Sequence, residues 1–279
     1  MFASARRRPD LTKTVIMGVI NVTPDSFFDG GEYVLPEAAV RHAESLLADG
    51  ADILDIGGES TRPGARPVSV DMEIARILPV IEALAQNGAC ISVDTYHADT
   101  AQRALEAGAS MVNDVTALRG DSRMAEIIAQ HDCDCVLMHM LGTPLNMQHA
   151  PVYGDVVEDI LRFFDERLGA AISAGIREDR IWIDPGFGFG KTVEHNLEIL
   201  RRLREFKRLG RPVLIGTSNK STIGTVLGLP TADRLEGTAA TIAVSILNGA
   251  DAVRVHDVKS MARVARMTDA IVGKGMHNG

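Results

Sequence analysis

Ile181-Trp182-Ile183-Asp184-Pro185-Gly186-Phe187-Gly188-Phe189-Gly190-Lys191-Thr192 contains the unit from which the whole chain is built. Its first three residues are apolar and β-favouring and predict a short buried strand. Asp184 and Pro185 stop that strand, and glycines at alternate positions make a turn before 196–209, where apolar residues recur at helical spacing. The ending Gly190-Lys191-Thr192 imitates a phosphate-binding P-loop, but that motif requires its first glycine at position 185, which is Pro185. The glycine spacing also misses the dinucleotide fingerprint. What remains is a backbone able to approach a flat ligand closely, with Asp184 as an acceptor for ring N–H groups.

The same strand-turn-helix unit recurs in both directions. Strand-like runs at 14–20, 53–56, 91–94, 111–113, 135–139, 181–184, 213–216 and 252–255 alternate with helical stretches that include 36–47, 71–85, 156–172 and 196–209, and a last helix follows Asp257. Eight such units close a (β/α)8 TIM barrel, an α/β architecture. A length of 279 residues suits one domain of that kind. A doubly wound open sheet uses the same alternation and is the competing architecture. No Ser/Gly-rich linker or low-complexity tract divides the chain, which predicts a flexible N-terminal arm over 1–13 and one barrel domain over 14–279.

Composition narrows the function classes. Hydrophobic residues make up 46% and charged residues 24%, the balance of a chain that buries a core. Twenty-nine basic residues against 37 acidic ones leave a net charge of −8, which argues against a nucleic-acid partner. No apolar run nears the ~20 residues of a membrane span. Arg6, Arg7 and Arg8 have no apolar segment behind them that would make a secretory signal. Cys90, Cys133 and Cys135, odd in number and in or beside strands, suit a reducing compartment, so a cytoplasmic location is expected.

Each strand runs at its carboxyl end into polar residues: Asn21, Asp55, Asp94, Asn113 with Asp114, His139, Asp184, Ser218 with Lys220, and Arg254 with His256. In a barrel these ends share the face where active sites lie. Turns also begin at polar residues, which accounts for any one of these positions better than for all of them together. The irregular stretches 21–31 and 57–67, after the first and second strands, have the length of binding loops or lids. Lys220, Arg254 and His256 converge after the last two strands, where barrels commonly hold phosphate, and Arg254 and His256 alternate with Val253 and Val255 and so face one side. His131-Asp132-Cys133-Asp134-Cys135 has the composition of a metal cluster. It precedes the fifth strand, at the barrel's amino end, and one Cys-x-Cys pair is weak evidence for zinc, so a structural role is expected there.

In chain order, Asn21-Val22-Thr23-Pro24-Asp25-Ser26-Phe27, Gly57-Gly58-Glu59-Ser60-Thr61-Arg62-Pro63-Gly64, Ser92-Val93-Asp94-Thr95, Val112-Asn113-Asp114-Val115, Asp184-Pro185-Gly186-Phe187-Gly188-Phe189 and Arg254-Val255-His256-Asp257 resemble the motifs of the dihydropteroate synthase family, over residues 15–274. The resemblance implies a pterin-binding TIM barrel and a transferase of folate biosynthesis. Such an enzyme condenses 6-hydroxymethyl-7,8-dihydropterin diphosphate with p-aminobenzoate, releases pyrophosphate, and is a sulfonamide target. By the same resemblance, Asp94, Asn113, Met138, Asp184, Gly216 and Lys220 would hold the pterin. Asn21, Arg62, Arg254 and His256 would hold the diphosphate, with Asn21 also serving Mg²⁺. Phe27, Thr61, Pro63, Phe189, Lys220 and Ser221 would shape the p-aminobenzoate site. Catalysis would fall to Asp94, Asp184, Lys220, Arg254 and His256 in a dissociative, SN1-like reaction, and the partner expected besides the small-molecule substrates is a second copy of the chain, joined through the last helices.

One position departs from the family pattern. Ser218-Asn219-Lys220-Ser221 stands where Ser-Arg-Lys-Ser is usual, and Thr222 where phenylalanine is frequent, so one positive charge near an anionic substrate is missing. A non-catalytic pterin binder is the first rival reading, and Asn219 is the feature that favours it. A corrinoid-linked pterin methyltransferase would share the carboxylates but has no use for Arg254 and His256, and a Schiff-base aldolase built on Lys220 lacks a supporting lysine or carboxylate at recognisable spacing.

Overall fold

The computed structural model describes residues 8–23, 35–60, 65, 67–143, 146–148 and 150–275. Its elements are β1 (Val15–Asn21), α1 (Leu35–Asp49), β2 (Ile53–Gly57), α2 (Val70–Gln86), β3 (Ile91–Asp94), α3 (Ala98–Glu106), β4 (Met111–Asp114), α4 (Met124–His131) and β5 (Asp134–Met138). They continue with α5 (Val156–Ser173), β6 (Ile181–Asp184), α6 (Val193–Arg201), β7 (Leu214–Ile215), α7 (Ser221–Leu227), α8 (Leu235–Leu247), β8 (Ala252–Val255) and α9 (Val258–Val272). The helix expected over 196–209 divides. Thr192 opens α6 with a capping box, and Leu203–Leu209 tightens to a 3₁₀ helix that brings Leu203 and Phe206 onto one buried side.

All eight strands are parallel, in the order β6-β5-β4-β3-β2-β1-β8-β7. The ring closes through a bridge between Ile183 and Val213, with the Ile183 N–H donating to the Pro212 carbonyl at 3.0 Å, so the architecture is the barrel and not the open sheet. β7 has two residues, Leu214–Ile215, where four were expected, and the Val213 N–H just before it donates to Asp251 Oδ2 at 2.7 Å.

Alternation along the strands separates two cores. Met17, Ile53, Met111, Val136, Trp182, Leu214 and Ala252 fill the lower interior of the barrel. The residues between them, such as Ile16, Leu54, Val112, Leu137, Ile183 and Val253, pack outward beneath the helices. Burying each of the Met, Leu, Ile and Val side chains among them stabilises the fold by ~1.5–3 kcal/mol. Two residues farther along the same inward rows stand Asp55, Asn113, Met138, Asp184, Gly216 and Arg254, so the apolar plug is also the floor of a polar mouth.

At the opposite end, Arg8 pairs with the buried Asp134 at 3.0 Å, and Arg180 pairs with the same carboxylate at 3.3 Å. Cys133 and Cys135 are buried there, and neither is in a disulfide. Among the described residues no group of three His, Cys, Asp or Glu is placed to hold a metal, and no helix is long and apolar enough to cross a membrane.

The turn after β6 depends on a glycine that nothing else can replace. Gly186 has φ +70°, and a Cβ there would lie 1.9 Å from the His139 carbonyl oxygen, so the close approach it permits is to protein backbone. Gly228 has a similar φ of +68° with open space around it. Gly228→Ala is therefore expected to cost about 1–2 kcal/mol, the handedness penalty alone. Gly186→Ala is expected to cost more than ~3 kcal/mol or prevent folding; urea denaturation of the two variants measures the difference.

Candidate active site

A cavity opens at the carboxyl ends of the strands. Its wall includes Asp94, Asn113, Val115, Met138, Asp184, Gly186 and Phe187, together with Phe189, Gly216, Ser218, Lys220, Arg254 and His256. Nine residues singled out from the sequence thus meet there from six different strands and the segments that follow them: Asp94, Asn113, Met138, Asp184, Phe189, Gly216, Lys220, Arg254 and His256.

The deepest feature is a charge network. Arg254 Nε donates to Asp55 Oδ2 at 2.6 Å and Nη2 donates to Asp94 Oδ2 at 2.8 Å. Asn113 Nδ2 donates to the same Asp55 oxygen at 3.0 Å. Asp55 is fully buried, and Asp94 Oδ1 is buried with no hydrogen bond inside the protein. Burial raises the Asp94 pKa to about 7, with Arg254 opposing and Asp55 reinforcing the shift. Burial also pulls Arg254 down, but Asp55 and Asp94 more than offset this and hold its pKa above the ordinary guanidinium value.

Asp184 lies in the same storey. Burial raises its pKa, against the hydrogen bond that the Gly186 N–H donates to its Oδ1 at 2.7 Å and against the charge of Lys220. Lys220 Nζ sits 4.0 Å above the Phe189 ring, a cation–π contact, and burial followed by repulsion from Arg254 lowers its pKa to about 8. His256 Nδ1 lies 3.0 Å from Ser218 Oγ, which also accepts from the His256 backbone N–H. At the root of the second loop, Glu59 accepts from Tyr96 Oη at 2.5 Å and from the Val68 N–H at 3.4 Å.

Among the known relatives, a sequence profile described as Pterin binding enzyme matches residues 17–256. A dihydropteroate synthase from Bacillus subtilis is 48% identical over 269 residues, 96% of this chain and 92% of its own. The chain belongs to the dihydropteroate synthase family of pterin-binding enzymes. Two solved members of the family carry ligands. The Yersinia pestis dihydropteroate synthase, in a sulfonamide drug complex, is 40% identical with a TM-score of 0.92 over 98% of this chain and 99% of its own. The Xanthomonas albilineans dihydropteroate synthase with 4-aminobenzoic acid is 44% identical with a TM-score of 0.89 over 94% of each chain.

Within this dihydropteroate synthase fold, Asn21 ends β1 on the inward row, half-buried and outside the cavity wall, while Ser221 is the exposed first residue of α7. Phe27, Thr61, Arg62 and Pro63 lie outside the described residues. Asn219 has φ +59°, a conformation that asparagine accepts more readily than most side chains. Its carbonyl accepts from Arg234 Nη1 at 2.9 Å, so a guanidinium does stand beside this turn. Thr222 is buried and accepts from Asn196 Nδ2 at 2.9 Å, and Asn196 Oδ1 accepts from the Gly188 N–H at 2.8 Å, which ties the turn after β6 to α7. Asp55 was visible only as a polar strand end, and its partnership with Arg254, 199 residues away, has no local signature.

A carboxyl group whose folded pKa stands above its unfolded value adds stability at acid pH, and that contribution is lost as pH rises through the folded value. For Asp94 the loss begins near pH 4, where the unfolded carboxyl ionises, and is complete just above the folded value of about 7. Asp94→Asn cannot ionise, so the fall in Tm between about pH 5 and pH 8 is expected to be smaller in the variant than in the parent; thermal unfolding across that range measures it.

Proposed function

We propose that the chain condenses 6-hydroxymethyl-7,8-dihydropterin diphosphate with p-aminobenzoate to give 7,8-dihydropteroate and pyrophosphate. The observation that carries this is the set of polar groups at one depth of the barrel: Asp94 with its unengaged buried Oδ1, Asn113 beside it, and Asp184. A pterin offers several N–H donors along one edge of its pyrimidine ring, and ionised acceptors make the stronger hydrogen bonds to such donors. Arg254 and His256 supply donors for the diphosphate, while Phe189 and Lys220 present an aromatic face and a cation to p-aminobenzoate.

The reaction then needs no protein nucleophile. The C–O bond to the diphosphate breaks with its electron pair leaving on the diphosphate, and the resulting methylene cation spreads its charge into the pterin ring. Asp94 and Asp184 stabilise that charge, and Arg254 and His256 stabilise the departing anion. The aromatic amine, held close to the methylene carbon, forms the new C–N bond, and its proton passes to the released pyrophosphate or to solvent. Mg²⁺ fits as an ion that arrives with the phosphates, because it takes oxygen donors and few protein ligands, and the Asn21 carboxamide at the mouth offers one such oxygen. When bound it would neutralise charge on the leaving group.

Sulfonamides would compete for the p-aminobenzoate half of the site. The last helices expose Val226, Leu227, Val244, Leu247, Met267 and Ile271, which supports a homodimer through α7, α8 and α9. The buried cysteines, none in a disulfide, accord with a cytoplasmic location.

Pyrophosphate release in the presence of both substrates and Mg²⁺ is expected, and a protein that binds pterin without releasing it would instead be the non-catalytic binder. Asp184→Ala is expected to weaken a 6-hydroxymethylpterin analogue by at least ~30-fold in calorimetry, about the loss of one or two charged hydrogen bonds.

A further inference from the structure

Lys191 lies five residues before Asn196, within the turn region that leads from β6 into α6, and does not line the cavity. It is nevertheless buried, with 4% of its surface exposed. Its amino group, whose pKa burial lowers to about 7, has three acceptors within reach: His139 Nδ1 at 3.0 Å, the His139 carbonyl at 3.4 Å and the Phe189 carbonyl at 2.9 Å. An ammonium has three N–H donors to offer them.

The His139 end of this contact is itself fixed. The His139 N–H donates to the Asp184 carbonyl at 2.9 Å, and the ring packs edge-on against Phe163 with centroids 4.8 Å apart. Burial, then Lys191, then Arg119 push the His139 pKa well below the ordinary imidazole value, so the ring is neutral and Nδ1 can serve as the acceptor. The Phe189 end leads into the cavity, since the Phe189 ring is the surface against which Lys220 Nζ rests.

We propose that Lys191, anchored on His139, is a positioning residue that sets the place of Phe189 and thereby shapes the p-aminobenzoate half of the site. The inference rests on the assignment of Phe189 to p-aminobenzoate. Lys191 touches neither substrate in this arrangement and acts through the Phe189 backbone.

The test is steady-state turnover of the full-length protein with pterin diphosphate, Mg²⁺ and varied p-aminobenzoate, for Lys191→Met, Phe189→Ala and the double variant. Lys191→Met is expected to raise KM for p-aminobenzoate about 10-fold, the scale of one net hydrogen bond to a charged group. The Kd of a 6-hydroxymethylpterin analogue should change less than ~3-fold, because its main acceptors stand on other bonds. If Lys191 acts through Phe189, the double variant has a KM close to that of the worse single variant. Multiplying effects would mean two independent roles and would overturn the proposal. A raised KM in Phe189→Ala with an unchanged KM in Lys191→Met also overturns it and leaves the site assignment standing; an unchanged KM in Phe189→Ala sinks the assignment itself. His139→Leu should reproduce the Lys191→Met effect, and His139→Asn, which keeps an acceptor near the Nδ1 position, should restore much of the loss. Failure of both Lys191→Met and His139→Leu to fold would make the contact purely structural and end the proposal.

Discussion

A carboxylate with no exposure to solvent is tolerable only if something positive and well aimed meets it. Asp55 meets that condition through Arg254, and because Arg254 also reaches Asp94 while Asn113 reaches Asp55, four strands are tied at one depth: β2, β3, β4 and β8. Removing Arg254 would leave two buried carboxylates uncompensated, so the arginine is as much a part of the barrel's upper interior as Trp182 is of the lower. The functional reading follows from the same network. The guanidinium uses one Asp94 oxygen and leaves the other buried without a partner, in a cavity-lining residue whose pKa near 7 lets its charge respond to its surroundings.

The opposite wall is built differently. There the backbone after β6 is pressed onto the end of β5 at Gly186, joined to α7 through Asn196 and Thr222, and held from behind by Lys191. Tyr153 Oη and Gln148 Nε2 add donors to the Gly190 and Gly188 carbonyls at 2.7 and 2.8 Å. Such a turn has little freedom to rearrange, so Asp184 and Phe189 are presented in fixed positions, as the proposed stabilisation of a short-lived cation would require.

Much of this was legible in the sequence because strand alternation and the barrel's polarity are local rules. Once 181–184 was read as a strand, Trp182 and Asp184 had to share a side, and the same parity put Arg254 above Ala252 and Asn113 above Met111. What escaped was nonlocal or off-parity. His139 looks like one more polar strand end, but it follows Met138 on the outward row and turns to Lys191, 52 residues on, instead of into the mouth. Asp114 likewise sits beside Asn113 yet serves its own turn, accepting from the Thr116 and Leu118 N–H groups at 2.7 Å. The family motifs picked out residues of which nine line one cavity; which of them meet one another is decided by packing between segments far apart in the chain.

The ring of staves is fastened unevenly. Most neighbouring strands share three or more registered pairs, whereas β6 and the two-residue β7 meet at a lone bridge between Ile183 and Val213. Few backbone bonds mean a low local cost of opening, and that seam runs between the stave bearing Asp184 and the one leading to Gly216 and Lys220. The bonds that the turn after β6 makes to Asn196 and Lys191 therefore do at this gap what ladders do elsewhere, riveting the Asp184 stave where its neighbour across the seam cannot.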